Sequence, residues 1–290
     1  MKPDPSTALV APVLFAALLG STALGEIPEN FQRENLVAWG IVGFDARQRS
    51  PAERAAMLER LGIRRLAYDW REEHIEGFEE EFLACGEHGI ELFAFWKGEE
   101  SAFELFERHA LAPQVWHPLR TGKGLSNQDR IESAAEQLLP IAEETARRGL
   151  RLGLYNQGGW GGLPSNLVAV CKSLRDRGHE HVGIVYNFHH AHPRATEFAE
   201  DLALMKPYLL CVNLNGMADP NRADVSKKEN RIKPVGSGVH EEAMIRELLV
   251  QRYDGAVGII GNRPDLDVEE VLRKNLEGLE SLLSRIPAGP

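Results

Sequence analysis

The sequence predicts a single (β/α)8 barrel. Three observations carry this expectation: eight short apolar runs, amphipathic segments of helical period between them, and no Gly-rich phosphate loop opening any of those segments. Strand–helix alternation implies right-handed crossovers and a parallel sheet. Eight such units match the roughly 250 residues of a closed barrel. An open doubly wound sheet is the runner-up, set aside because no G-x-G-x-x-G or P-loop is present.

The strand-like runs cover residues 36–44, 65–70, 90–96, 114–118, 150–156, 181–188, 209–213 and 256–261. After the first, Ser50-Pro51 combines a capping residue with proline at the first helical position. Ala55, Leu58 and Leu61 then recur at helical spacing until Gly62 stops the segment. Residues 130–149 behave alike. So do residues 267–286, with Val268, Val271, Leu272, Leu276, Leu279 and Leu283 on one face. The stretch 216–233 reads as a polar loop, and no second domain is visible.

Of 290 residues, 33 are basic and 43 acidic, a net charge of -10, which disfavours nucleic acid as a partner. Cys85, Cys171 and Cys211 lie too far apart in sequence for a CxxC site and read as buried thiols. Residues 1–25 read as a secretion signal: Lys2, an apolar run, then small residues ending at Gly25. That run is short for a bilayer span, and no later stretch qualifies. The expectation is an exported protein (periplasmic or secreted), residues 26–290 forming the barrel, with no membrane span after cleavage.

Barrel active sites lie at the C-terminal strand ends. Those ends supply Asp45, Asp69, Trp70, Arg71, Trp96, Lys97, Trp116, His117, Asn156, Gln157, Trp160, Asn187, His189, His190, His192, Asn213, Asn215 and Asn262. Indoles stack on the C–H faces of sugars, while amides and carboxylates match hydroxyl pairs. A small-molecule carbohydrate is therefore the expected ligand.

Three segments, Leu154 to Trp160, Val185 to His192 and Val212 to Met217, look like successive strand ends of one known family. With the Gly236-Ser237-Gly238 turn and Arg252-Tyr253-Asp254-Gly255, they resemble the xylose isomerase-like sugar phosphate isomerase/epimerase superfamily. The resemblance implies a TIM barrel with a divalent ion (Mn²⁺, Zn²⁺ or Mg²⁺) held by carboxylates and His at the later strand ends. This chain departs from that scheme. Tyr155-Asn156 stands where a strand-five Glu is expected, and Asn187-Phe188-His189-His190 replaces Asp-x-x-His. Strand seven carries Asn213 and Asn215, and strand eight ends in Gly261-Asn262. Asn is a weak ligand for a hard cation. No cofactor is therefore assigned, no residue is named as a metal ligand, and the ion is left open.

The remaining chemistry centres on His189, His190 and His192; if the strand continues that far, alternation sets His189 opposite the other two. The resemblance and these residues together imply proton abstraction next to a sugar carbonyl: isomerisation, epimerisation or elimination. His190 or His189 serves as acid/base, with Asp69 as partner. Lys97 holds an oxyanion, while Trp96 and Trp160 stack on the sugar, Trp116 being a third indole of that floor. Asn156, Asn187, His192, Asn213 and Asn215 bind hydroxyls. Export favours a free or oxidised sugar over a sugar phosphate. A non-catalytic carbohydrate-binding barrel is the alternative. An endonuclease is opposed by charge and by the missing carboxylates.

Overall fold

The computed structural model describes residues 27–120, 124 and 126–286. The segment read as a secretion signal lies outside them. Eight parallel strands close a barrel in chain order: β1 (Val37–Trp39), β2 (Arg65–Tyr68), β3 (Glu91–Trp96), β4 (Gln114–Pro118), β5 (Leu152–Tyr155), β6 (Val182–Asn187), β7 (Leu209–Leu214) and β8 (Ala256–Ile260). Closure comes from β8 pairing with β1, Val37 opposite Gly258. Around them lie α1 (Pro51–Leu61), α2 (Phe78–Glu87), α3 (Glu100–Arg108), α4 (Asn127–Arg147), α5 (Pro164–Asp176), α6 (Phe198–Met205), α7 (Lys228–Arg231), α8 (Glu241–Val250) and α9 (Val268–Leu283).

Local sequence explains the helix ends. Ser50 and Glu53 form a reciprocal capping box at the start of α1, with Pro51 at its first turn and Gly62 in the left-handed region at its end. Asp267 caps α9 through the Glu269 N–H at 3.0 Å. The whole α9 face expected from the sequence is buried.

Strand alternation sorts the apolar residues into two cores. Val37, Ala67, Ala94, Trp116, Val185, Cys211 and Ile260 fill the barrel. Leu66, Leu154, Ile184, Val212 and Ile259, from the same strands, pack under the helices. Two inward glycines make room for large neighbours. A Cβ on Gly153 would lie 2.9 Å from the Trp116 ring, and one on Gly258 would lie 1.9 Å from Asn213 Oδ1. All three cysteines are free and buried, as expected.

Several strands end earlier than the apolar runs suggest. β1 stops at Trp39 because Gly40 takes a φ of 68°. Ile41 and Val42 remain buried, packed off the ladder. β2 ends at Tyr68 and β5 at Tyr155, while β6 gives way to a 3₁₀ turn, Phe188–His190. Burial drives apolar content, and the ladder needs only the part inside the barrel wall.

The stretch 216–233 is more than a loop. Gly216 and Lys233 pair antiparallel, and α7 lies between them. The Arg231 carbonyl accepts from Asn215 Nδ2 at 3.0 Å and lies 3.1 Å from His192 Nε2. This segment is thereby folded over the barrel mouth. Asp45, in the loop after β1, ties that loop to α9, accepting from Arg49 Nη1 at 2.7 Å and from the Val268 N–H at 3.2 Å.

Candidate active site

Strand ends and the 216–233 segment meet around a cavity of about 270 Å³ at the C-terminal mouth. β1 contributes Trp39, β2 is followed by Asp69, and β3 and β5 end in Trp96 and Tyr155. The turn after β6 adds His189 and His190; the folded-over segment adds Lys228 and Arg231. Phe44, Arg71 and Asn262 complete the rim.

Its aromatic wall is Trp39, Trp96 and Tyr155, with centroids 4.8 to 5.8 Å apart. Trp39 Nε1 donates to the Tyr155 hydroxyl at 3.1 Å. With its oxygen accepting there, the phenol keeps its own proton to give to another group. Burial pushes the Tyr155 pKa up, so that proton stays in place. Trp116 is wholly buried beneath this wall, its centroid 5.0 Å from that of Trp39. It belongs to the barrel core, so the indole floor read from the sequence is corrected at this position.

Asp69 is the only carboxylate lining the cavity among the described residues. It is 1% exposed. Its Oδ1 accepts from the Val42 N–H at 3.1 Å, and its Oδ2 has no hydrogen-bond donor. Arg71 Nη2 stands 3.8 Å from Asp69 Oδ2. Burial dominates and lifts the carboxyl to about 6, against the pull of the Val42 N–H and Arg71.

His189 and His190 lie in the 3₁₀ turn, where strand alternation no longer applies. Their ring centroids lie 3.9 Å apart with the planes tilted by 42°, so both rings reach the cavity and the split expected of a continuing strand is not found. Burial, then the charge of Arg231, lowers His190 to about 4. His189 is pushed well below the usual imidazole value by burial first and by its cationic neighbours second. Both rings are therefore neutral at pH 7 and weak bases, suited to accepting a hydrogen bond.

The asparagines expected to bind hydroxyls are instead bonded to one another. Asn213 Nδ2 donates to Asn187 Oδ1 at 2.9 Å, and Asn187 Nδ2 donates to Asn156 Oδ1 at 2.8 Å. Asn156 also brackets the Asn187 backbone, accepting from its N–H at 2.7 Å and donating to its carbonyl at 3.1 Å. All three are fully buried. This directional chain of amides crosses β7, β6 and β5 where the resemblance implies metal ligands. No group of three His, Cys, Asp or Glu that could hold an ion exists among the described residues. Asn262 is engaged by Lys228 Nζ at 2.6 Å. A divalent ion does not fit this donor set, whose amides are mutually satisfied.

Other expected residues sit elsewhere. Lys97 is exposed, in a left-handed turn with φ 57°, and does not line the cavity. Trp160 lies under the Arg130 guanidinium and donates to Asn127 Oδ1 at 2.7 Å, outside the cavity. His192 and Asn215 hold the Arg231 carbonyl. The sequence reading missed Trp39, Phe44, Tyr155, Lys228 and Arg231. The last two stand in a polar segment that follows β7, and topology alone sends such a segment to the mouth. A larger cavity, about 520 Å³, opens at the opposite end beside Arg65 and Tyr253. There Asn30 Nδ2 binds the Tyr253 and Gly255 carbonyls at 3.0 and 2.8 Å, which anchors the N-terminal segment.

A closed (β/α)8 barrel with a polar cavity at its C-terminal mouth defines a TIM-barrel protein. The family model described as xylose isomerase-like TIM barrel matches residues 47–282, and the chain belongs to that family. Among solved structures, the chain is similar to 3-keto-D-glucoside 4-epimerase from E. coli (16% identity, TM-score 0.64, covering 86% of this chain and 100% of that one). It is similar as well to the probable 3-DHS dehydratase of petrobactin synthesis from Bacillus anthracis (10%, 0.67, 84% and 98%). A third is D-psicose 3-epimerase with D-tagatose from Clostridium cellulolyticum H10 (13%, 0.58, 88% and 100%). No curated protein matches significantly. These likenesses establish the fold.

Proposed function

We propose that this barrel moves a proton next to the carbonyl of a sugar or keto-sugar, in isomerisation, epimerisation or elimination. The observation that carries the reading is one cavity holding Asp69, lifted to about 6, together with the neutral His189–His190 pair. A carboxylate near neutrality is suited both to take and to return a proton. The epimerase and dehydratase names of the structural neighbours support the same reaction class.

In this mechanism the Asp69 carboxylate removes the proton from carbon and, as the carboxylic acid so formed, returns it to carbon or gives it to the leaving hydroxyl, while neutral His190 accepts a hydrogen bond from a substrate hydroxyl. The Tyr155 hydroxyl and the Lys228 ammonium donate to the oxygen on which enolate charge gathers. Trp39 and Trp96 take the sugar face in place of Trp160. No step passes through a metal, since the donor set does not suit one.

Export is part of the proposal, supported by the residue pattern of 1–25; N-terminal sequencing of protein recovered outside the cytoplasm tests it. The chemistry is tested by incubating the purified protein in D₂O with ketohexoses and 3-keto-glucosides and reading deuterium at carbon by NMR. Exchange abolished by Asp69→Asn supports the reading. Sugar binding without any exchange replaces it with the non-catalytic carbohydrate-binding barrel.

A further inference from the structure

We propose that the sugar this cavity takes is an anion, carrying an oxoanion group (carboxylate or phosphoryl) that sits among Arg71, Lys228 and Arg231. The inference rests on the site assigned above and deepens it. In a chain of net charge -10, the mouth of the barrel gathers three cations around one buried carboxylate.

Lys228 and Arg231 have no carboxylate partner within ion-pair distance among the described residues, and Arg71 has only the buried Asp69, at 3.8 Å. Arg71 donates Nη1 to the Asp69 and Trp70 carbonyls at 2.7 and 2.6 Å and stands only at the edge of ion-pair distance from Asp69. Lys228 bonds a neutral amide, that of Asn262. Asp265, the acid facing Lys228, is held by Arg263 through two bonds of 2.9 and 2.8 Å. Arg231 makes no ion pair among the described residues, and its Nε is buried without a hydrogen-bond partner. Arg71 and Lys228 both lie over the Phe44 ring, at 4.9 and 4.5 Å, so the aromatic gathers the like charges on one rim. Arg231 and Arg71 lower the Lys228 pKa, after burial, as expected for uncompensated repulsion.

Such repulsion is present in the resting protein, whereas an enolate exists only in passing. A transient oxyanion therefore offsets it for one step of the cycle, while a permanent anion on the substrate offsets it for the whole bound state. Guanidinium forks also match the two oxygens of an oxoanion, which a sugar hydroxyl does not provide.

Calorimetry and thermal shift at fixed ionic strength, with the full chain and no turnover required, test this. The probes are D-glucuronate, D-glucose 6-phosphate, D-glucose and inorganic phosphate. An acidic sugar should bind at least about tenfold more tightly than glucose, weakening as salt rises; which acidic sugar binds identifies the oxoanion. The preference should vanish in Lys228→Gln/Arg231→Gln, with the ligand-free melting temperature retained. Glucose binding as well as the acids, a preference that survives the double substitution, inorganic phosphate alone matching the sugars, or no binding by either acid would overturn it. Binding without deuterium exchange would leave this inference standing and remove the proton-transfer reading.

Discussion

Replacing Asp69 with asparagine should stabilise the protein while removing its proton transfer. The carboxyl is wholly buried and titrates at about 6 instead of its ordinary 3.8. A pKa raised on folding means that the stability tied to this group is present below 3.8 and is lost as pH rises through about 6. At about 1.36 kcal/mol per pH unit, the total loss is about 3 kcal/mol, of which about 2 kcal/mol falls between about pH 4.5 and about pH 8. Asparagine escapes that loss, and its carbonyl oxygen can keep the Val42 N–H bond. Urea unfolding of both proteins at the two pH values cancels every group they share. The variant should gain about 2 kcal/mol on the wild type from the lower to the higher pH. A difference that stays flat with pH, or one that falls, would refute the claim that Asp69 sits strained and close to neutrality. In wild-type kinetics, kcat/KM should rise with pH through about 6 as the carboxylate forms.

His190→Ala should cut deuterium exchange at least about 100-fold and leave the circular dichroism melt intact; full exchange rates would remove His190 from the mechanism. Asn187→Asp should destabilise by about 2–4 kcal/mol, because the new oxygen faces Asn156 Oδ1 where an amide N–H donated before. Urea titration reads that cost, and a neutral outcome would mean that the amide chain is not formed. Gly258→Ala should lower stability by about 1–3 kcal/mol through its clash with Asn213 Oδ1, measured by thermal melting. Dialysis against chelator should leave exchange unchanged; a loss restored by Mn²⁺ would show that an ion is held after all.

Barrel topology was legible because it rests on periodicity, and every expected strand run contains a strand. Strand lengths were not, since apolar content reports burial and not the ladder: Ile41 and Val42 are buried beyond the point where Gly40 ends β1. At the site, Asp69, His190, His189 and Trp96 were legible as polar or aromatic groups at strand ends. Lys228 and Arg231 were not. They reach the cavity through a segment folded back by a Gly216–Lys233 bridge and by bonds to the Arg231 carbonyl, and none of these leaves a local pattern. Nor does residue type tell whether an asparagine faces substrate or another asparagine. Two amide-to-amide hydrogen bonds across neighbouring strands decide that here.

The amide chain from Asn213 through Asn187 to Asn156 also limits the paths by which this sequence can change. Each side chain is locked in sense by the next, its nitrogen facing an oxygen, so a single step back to a carboxylate sets like atoms together within a fully buried row. A route from this barrel to one with metal-binding acids must therefore alter several strands together, or bring in the ion at the same moment as the first acid. The three positions are physically coupled, and exchange of any one of them in a relative should be accompanied by exchange of its neighbours.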